Sequence, residues 1–148
     1  MTRKRILLGI VGILVIGFVV LQLIPASAIS SRYAAPGNPE VTYTIQWDSA
    51  ETEQLARAAC FDCHSHETNY PWYANIAPVS WLVNKDINEG RREMNFSTGD
   101  DLEGGDMARQ IQRGDMPLPI YLPLHPEANL TEAQKQALMD GLIATFGR

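Results

Sequence analysis

The first 25 residues hold the longest apolar run of the chain. After the basic triplet Arg3-Lys4-Arg5, no charged residue occurs from Ile6 to Ile24, and Gln22 is the one strongly polar side chain in that run. Nineteen residues form a helix of about 28 Å, close to the thickness of a bilayer hydrocarbon core. A helix on a soluble domain would show a polar face, which this run lacks. The pattern therefore predicts an N-terminal transmembrane helix that ends at Pro25.

The flanks of this helix predict its orientation. The basic triplet should remain in the cytoplasm, which places residues 26–148 on the periplasmic side of a bacterial inner membrane, with a single pass. The sequence Ala26-Ser27-Ala28 is typical of a signal-peptide cleavage site, so a removable signal peptide is the alternative. The apolar run exceeds the roughly 7 to 15 residues of a signal peptide, which favours an uncleaved anchor.

Local signals mark the beginning and end of two further helices. Ser49 can cap a helix that runs into Cys60, and Thr131 with Gln134 forms a capping box for a helix that ends at Gly147. Two more helices are predicted, over 79–92 and 101–113. In the first of these, an apolar stripe is formed by Val79, Leu82, Val83 and Ile87.

Between the anchor and these helices lies a polar connector. Pro36, Gly37 and Pro39 interrupt it, and Val41–Ile45 alternates apolar and polar residues, as either a short strand or an extended chain would. The sequence thus predicts an anchor (1–25), a linker (26–48) and a mainly α domain (49–148). This domain has a small core that would gain from a cofactor supplying apolar volume.

Charge restricts the class of partner. The chain of 148 residues has a formal charge of −5, and all 17 acidic residues follow the anchor with nine of the 12 basic ones, so residues 26–148 carry −8. Binding to nucleic acid requires a basic surface, so nucleic acid is not an expected partner. An acidic domain can instead be steered toward a basic site on a partner protein.

The two cysteines occur in the sequence Cys60-Phe61-Asp62-Cys63-His64. This matches C-x-x-C-H, the attachment signature of c-type haem. On a helical turn, residues i and i+3 share a face, so both sulfurs can reach the vinyl groups of one porphyrin while His64 binds the iron. Two alternatives are a disulfide and a zinc site. The disulfide could be structural or redox-active, and a redox-active one would be expected near a βαβ pattern, whereas the zinc site would be completed by His66 and His125.

Beyond this motif, the chain resembles the small bacterial haem-binding domain proteins. The matching residues include the run from Pro71-Trp72-Tyr73 to Ile76-Ala77-Pro78-Val79-Ser80-Trp81, then Gly90-Arg91, Asn95-Phe96-Ser97, Met116-Pro117 and His125-Pro126-Glu127-Ala128. The resemblance spans about residues 50–145 and implies a membrane-anchored, cytochrome c-like helical protein with one covalent haem c. Lys85 and Gly99 depart from the expected pattern, since relatives are expected to carry a histidine and an aromatic residue there.

The distal iron ligand has two main candidates. Met116 lies before Pro117 in a stretch without helical pattern, where small cytochromes c place an axial thioether, and it is the first choice. His125 is the alternative, and an open site is the third. Met107 and Met139 are expected in the core. The remaining residues considered are Met94, His66 and Lys85.

Other contacts to the cofactor are expected from residues after the motif. Aromatic side chains such as Trp72 are expected to pack against the porphyrin and the core. The indole N–H of Trp72 or the guanidinium of Arg91 could instead bind a haem propionate.

The sequence therefore predicts a single-haem electron carrier rather than an enzyme, because no catalytic dyad stands out. Its expected partners are membrane or periplasmic redox proteins, and membrane lipid around the N-terminal helix. A haem-based sensor of small ligands, with a displaceable sixth ligand, is the first alternative. A thiol–disulfide oxidoreductase is the second.

Overall fold

A computed structural model describes residues 3–147 of the chain. This part is mainly helical, at 63% of residues, and contains no β-strand, which confirms the predicted fold class. The α-helices are α1 (Arg3–Leu23), α2 (Ala26–Ile29), α3 (Ala50–Ala59), α4 (Phe61–His64), α5 (Val79–Glu93), α6 (Gly104–Arg113) and α7 (Glu132–Phe146). Four 3₁₀ turns occupy Ser31–Tyr33, Trp72–Asn75, Leu122–Leu124 and Pro126–Ala128.

The described residues divide into two compact units that do not follow the order of the sequence. The anchor unit comprises residues 3–36 and 70–88, and the core unit comprises residues 37–69 and 89–147. Helix α5 begins in the anchor unit and ends in the core unit. The linker predicted at 26–48 thus contributes residues to both units.

The core unit is built on packing of α7 against α6 and α3. Leu138 and Leu142 of α7 are 1% and 0% exposed. Gly141 is required between them, because a Cβ atom there would collide with the Thr52 side chain of α3. The buried cluster consists of Leu55, Ala56, Phe61, Phe96, Met107, Ile111, Leu130, Leu138 and Leu142. The prediction that Met107 lies in the core is confirmed.

Two predicted helix starts are confirmed by their caps. The Ser49 hydroxyl accepts a hydrogen bond from Thr52 N–H, and α3 then runs to Ala59 with Cys60 as its C-terminal cap. Thr131 and Gln134 form the capping box of α7, which ends at Phe146 with Gly147 as its C-terminal cap. These caps satisfy N–H groups that have no partner within the helix.

The third helix, which the sequence predicts over about 101–113, begins at Gly104 and ends at Arg113. Asp101 has φ 53°, in the left-handed region, so the chain cannot enter a right-handed helix there. The segment Val41–Ile45 is extended rather than a strand, and the N–H groups of Thr42 and Tyr43 both donate to the Ser97 carbonyl.

The anchor unit contains α1, which is long and apolar enough to cross a membrane and has no buried residue. Its Gln22 side chain forms two hydrogen bonds with the backbone of Ala77, at 3.0 and 2.9 Å. The predicted apolar stripe of α5 is buried only in part. Ile87 is 2% exposed, but Val79 and Leu82 are 44% and 39% exposed. These two exposed side chains therefore contribute little to the core.

Candidate functional site

The C-x-x-C-H residues lie on a single helical turn at the end of α3. Cys60 caps α3, and Phe61–His64 forms α4 directly after it. The N–H groups of Cys63 and His64 both point back to the Cys60 carbonyl, at 3.2 and 3.0 Å. This turn gives the two cysteines and the histidine the i, i+3 and i+4 spacing that the sequence argument required.

His64 is oriented by a backbone carbonyl. Its side chain is buried, and Nδ1 lies 2.9 Å from the Gly90 oxygen, with the Met94 oxygen farther away at 3.4 Å. Because a carbonyl only accepts, Nδ1 carries the proton and Nε2 carries the lone pair. Burial lowers the pKa of His64, so the imidazole is neutral. A neutral imidazole held through its second nitrogen is the usual form of a metal-binding histidine.

Gly90 allows α5 to come close to the motif. A Cβ atom at this position would lie 2.6 Å from the Cys63 carbonyl oxygen and 3.2 Å from the Cys63 Cβ. Only glycine therefore lets the Gly90 carbonyl reach His64 without displacing the backbone of the motif. The sequence does not reveal this role of Gly90, although a glycine within a predicted helix often has a packing reason.

Phe61, between the two cysteines, attaches the motif to the core. Its ring stacks on Phe96 with centroids 5.0 Å apart, and Trp47 packs on both rings. The Phe96 N–H also donates to the His64 carbonyl at 2.9 Å. The core and the motif are thus joined by side-chain packing and by a backbone hydrogen bond.

Asp62, the other residue between the cysteines, receives polar contacts. Its carboxylate accepts hydrogen bonds from the Tyr121 hydroxyl at 2.6 Å and from Asn69 N–H at 2.9 Å. Burial, followed by the adjacent carboxylate, raises the pKa of Tyr121. Tyr121 thus remains a hydroxyl donor and ties the segment before α7 to the motif.

His125 lies beside Tyr121, in the 3₁₀ region before α7. The two rings stack with centroids 3.6 Å apart, and His125 Nδ1 donates to the Tyr121 carbonyl at 3.0 Å. Met116 follows the C-terminal glycine cap of α6 and is half-buried, and its N–H donates to Gln110. The choice between Met116 and His125 as distal ligand stays a prediction.

His66 is hydrogen-bonded through both of its ring nitrogens, whereas the hydrogen bonds described for His64 involve Nδ1. Its Nδ1 donates to the Glu40 carbonyl at 2.9 Å, and its Nε2 accepts from the Asn95 side-chain amide at 2.9 Å. Both ring nitrogens therefore have partners. This arrangement gives His66 a structural role.

Arg91 organises the chain after the motif. Its guanidinium donates hydrogen bonds of 2.7 to 3.1 Å to oxygens of Gly37, Asn38, Ser65 and Thr68. The proposed contact of Arg91 with a propionate stays a prediction, beside this structural role. Trp72 lies in the anchor unit, where it is 78% exposed and packs edge-on against Tyr73. Its contact with a porphyrin is likewise a prediction.

The two alternative chemistries of the cysteines stay predictions. Neither cysteine takes part in a disulfide, and burial raises the pKa of the Cys60 thiol to about 12, whereas reactive redox cysteines have a lowered pKa. Within residues 3–147, no group of three or more His, Cys, Asp or Glu side chains could hold a metal ion. A zinc site built from such side chains therefore has no counterpart in the described structure.

Comparison with known families agrees with the geometry of the motif. The residues present fit a haem, because two cysteines and a neutral, oriented imidazole occupy one turn. The model of the haem-binding domain family matches residues 16–144, which is most of the chain. No curated protein and no solved structure matches the chain. From the motif geometry and this match together, the chain belongs to the haem-binding domain family.

Proposed function

We propose that this haem protein is a membrane-anchored, single-haem electron carrier of the c type, with its haem on the extracytoplasmic side. The observation that carries the proposal is the orientation of His64, whose Nδ1 proton is committed to the Gly90 carbonyl. This leaves the Nε2 lone pair for iron, on the same turn as Cys60 and Cys63. When bound, the haem supplies a one-electron iron(III)/iron(II) couple.

The roles of the side chains follow from their contacts. Cys60 and Cys63 would form the thioether bonds, and His64 would be the proximal ligand. The Gly90 carbonyl fixes the plane and tautomer of His64, so the imidazole would offer Nε2 to iron in one orientation. Phe61 stacks on Phe96 and so attaches this turn to the apolar core.

Met116 is the proposed distal ligand, with His125 as the alternative. A thioether at this position would raise the reduction potential relative to a second imidazole. His125 has its own support, because its Nδ1 is held by a backbone carbonyl as in His64. Tyr121 also links the His125 segment to Asp62 of the motif.

Covalent attachment is tested in protein matured in a host that has haem-attachment machinery. We expect a haem-staining band on a denaturing gel, and a change in the pyridine haemochrome spectrum of Cys60→Ala that reports loss of one thioether. Ser31→Ala, at an exposed serine outside the motif, is the control. If the wild-type protein has two titratable thiols and does not stain for haem, the result would instead support the thiol–disulfide oxidoreductase.

The distal ligand is tested by spectroscopy of the oxidised protein. Met116→Leu should abolish the methionine-to-iron charge-transfer band, whereas Met107→Leu, in the buried core, should retain it. A band that survives in Met116→Leu rules out Met116. If the wild type lacks this band and His125→Ala changes the spin state, then His125 is the ligand.

Carbon monoxide distinguishes a carrier from a sensor. An electron carrier with both axial positions filled should bind carbon monoxide slowly and weakly when reduced. Rapid, tight binding would show an open or displaceable sixth position and would favour the sensor. We expect resistance to the ligand, and we expect Met116→Ala to bind it more tightly.

Retention of the anchor is tested by intact mass. Cleavage after Ala28 would remove α1 and with it the Gln22 contacts to Ala77. These contacts support an uncleaved helix, as does the helical conformation of Ala26–Ile29 across the candidate cleavage site. An intact mass that corresponds to a mature chain beginning at Ile29 would contradict anchoring by α1.

A further inference from the structure

The anchor unit contains a second apolar feature besides α1. From Asn69 to Asn84 the sequence has no charged residue and no histidine, yet it includes two tryptophans and two tyrosines. Trp72 in this stretch is 78% exposed, and Val79 and Leu82 are 44% and 39% exposed. Large apolar side chains so exposed within an uncharged stretch indicate a contact surface rather than a solvated loop.

This stretch is fixed to the end of α1. The Gln22 side-chain amide donates to the Ala77 carbonyl at 3.0 Å and accepts from the Ala77 N–H at 2.9 Å. Ala77 itself is buried, at 6% exposed. The one strongly polar side chain of the predicted transmembrane run is thus used to hold the backbone between Trp72 and Leu82.

The position of Gln22 sets the depth of this contact. Helix α1 has 21 residues, which corresponds to about 31 Å, roughly one hydrocarbon core. Gln22 lies one residue before the end of α1, so a membrane spanned by α1 has its polar boundary near Gln22. Ala77 must then lie at the same boundary, with Trp72 and Leu82 each five residues away along the chain.

The connector after α1 also binds this stretch, through hydrogen bonds at the C-terminal end of the stretch. Asn84 donates to the Tyr33 carbonyl at 3.1 Å, and Asn88 donates to the carbonyls of Arg32 and Ala34 at 2.8 Å each. The stretch is therefore fastened near its middle by Gln22 and at its C-terminal end by asparagines. It cannot move far from the end of α1 without breaking these bonds.

We propose that residues 70–83 form a second membrane contact, in which Trp72, Val79 and Leu82 lie in the lipid headgroup region and Gln22 sets their depth. Tryptophan suits this region because its ring is apolar and its N–H can bond to water or headgroups. The lack of charge in the stretch removes the cost of bringing ions close to hydrocarbon. The inference rests on the proposed anchoring by α1.

The test uses the full-length haem protein labelled with 5-fluorotryptophan in lipid nanodiscs. The chain has three tryptophans, Trp47, Trp72 and Trp81, and phenylalanine substitutions assign their fluorine signals. We expect a spin-labelled lipid to broaden the Trp72 signal while a water-soluble relaxation agent has little effect on it. Trp47, in the aromatic cluster of the core unit, is the internal control and should be affected by neither agent.

Two results would overturn this contact. The first is a Trp72 signal broadened by the water-soluble agent alone, which would mark a surface facing solvent or a protein partner. The second is a Trp72 signal that responds to haem oxidation but not to the labelled lipid, which would place the indole on the porphyrin. If the protein does not remain with the nanodiscs at all, anchoring by α1 fails and the second contact fails with it.

Gln22→Leu tests the depth-setting role separately. Leucine keeps α1 apolar, so the variant should remain with the nanodiscs, but the two bonds to Ala77 are lost. We expect the lipid-induced broadening of Trp72 to lose most of its magnitude. Unchanged broadening would overturn the role assigned to Gln22. Leu21→Ala, next to Gln22 on α1, is the matched control and should leave the broadening as it is in the wild type.

Discussion

The contacts within the core unit differ in kind from the contacts within the anchor unit. In the core unit, the rings of Trp47, Phe61, Phe96 and Phe146 pack together, and the buried cluster around them joins α3, α6 and α7. In the anchor unit, side-chain amides bond to backbone groups that are far away in sequence. The core unit therefore combines a buried aromatic and aliphatic cluster with hydrogen bonds such as those of Arg91, whereas the long-range contacts named for the anchor unit are directed hydrogen bonds.

This difference matches what each unit is proposed to do. An axial ligand needs a rigid, dry surrounding, which close-packed rings supply. A surface in the lipid headgroup region cannot rely on excluding water, so it needs bonds that fix its conformation without a large core. Apolar side chains left exposed there, such as Trp72, are consistent with a lipid contact.

The largest expected effect comes from opening the aromatic cluster. Phe96→Ala should lower the free energy of unfolding by about 3 to 5 kcal/mol, because it removes a buried ring and leaves a cavity. Phe96 is 2% exposed and stacks on Phe61 of the motif. Denaturant unfolding of the haem protein in detergent measures the change.

The control for this variant is Phe18→Ala on α1, where the residue is 49% exposed. Hydrogen exchange should rise in α3 and α7 of Phe96→Ala. A loss below about 0.5 kcal/mol, within the range of ordinary surface substitutions, would contradict the view that burial of Phe96 stabilises the core unit.

The next effect tests the approach of α5 to the motif. Gly90→Ala places a Cβ 2.6 Å from the Cys63 carbonyl oxygen, so backbone must move. We expect a loss of about 1 to 3 kcal/mol in stability, together with a weakened bond between His64 and the Gly90 carbonyl. A lower yield of attached haem and an altered spin state would report that change.

Gly12→Ala is the matched control for this variant. It is also a glycine within a helix, and a Cβ there meets nothing within 4 Å. If Gly90→Ala gives the same haem yield and spectrum as Gly12→Ala, the close approach is not needed for the site.

The contacts around Gly90 could not be predicted from the sequence, unlike the helix caps and the C-x-x-C-H motif. Caps at Ser49 and Thr131 were predictable because each depends on residues three apart, and C-x-x-C-H names its chemistry within five residues. The bonds from His64 to Gly90 and from Tyr121 to Asp62 join positions 26 and 59 residues apart. No local pattern encodes such pairs, so the orientation of His64 could be known only from the structure.

The contribution of hydrogen bonds to the anchor unit is tested by Asn84→Ala. Asn84 is 7% exposed and donates to the Tyr33 carbonyl. Its loss should cost about 1.5 kcal/mol, the upper end for one hydrogen bond between neutral groups. Hydrogen exchange should increase in residues 30–36 while α7 remains protected. Exchange that rises first in α7 would show that the asparagine does not act within the anchor unit.

The smallest expected effect concerns the N-terminal cap of α7 in the core unit. Thr131→Ala removes the hydroxyl that accepts from Gln134 N–H at the start of α7. The expected loss is about 1 kcal/mol, typical of a helix cap. Thr131→Ser retains the hydroxyl and should be close to the wild type in denaturant unfolding. Because Leu138 and Leu142 of α7 remain buried, the helix should persist without its cap. A loss as large as that of Phe96→Ala would mean that α7 depends on its directed bonds more than on its packing, as the anchor unit does.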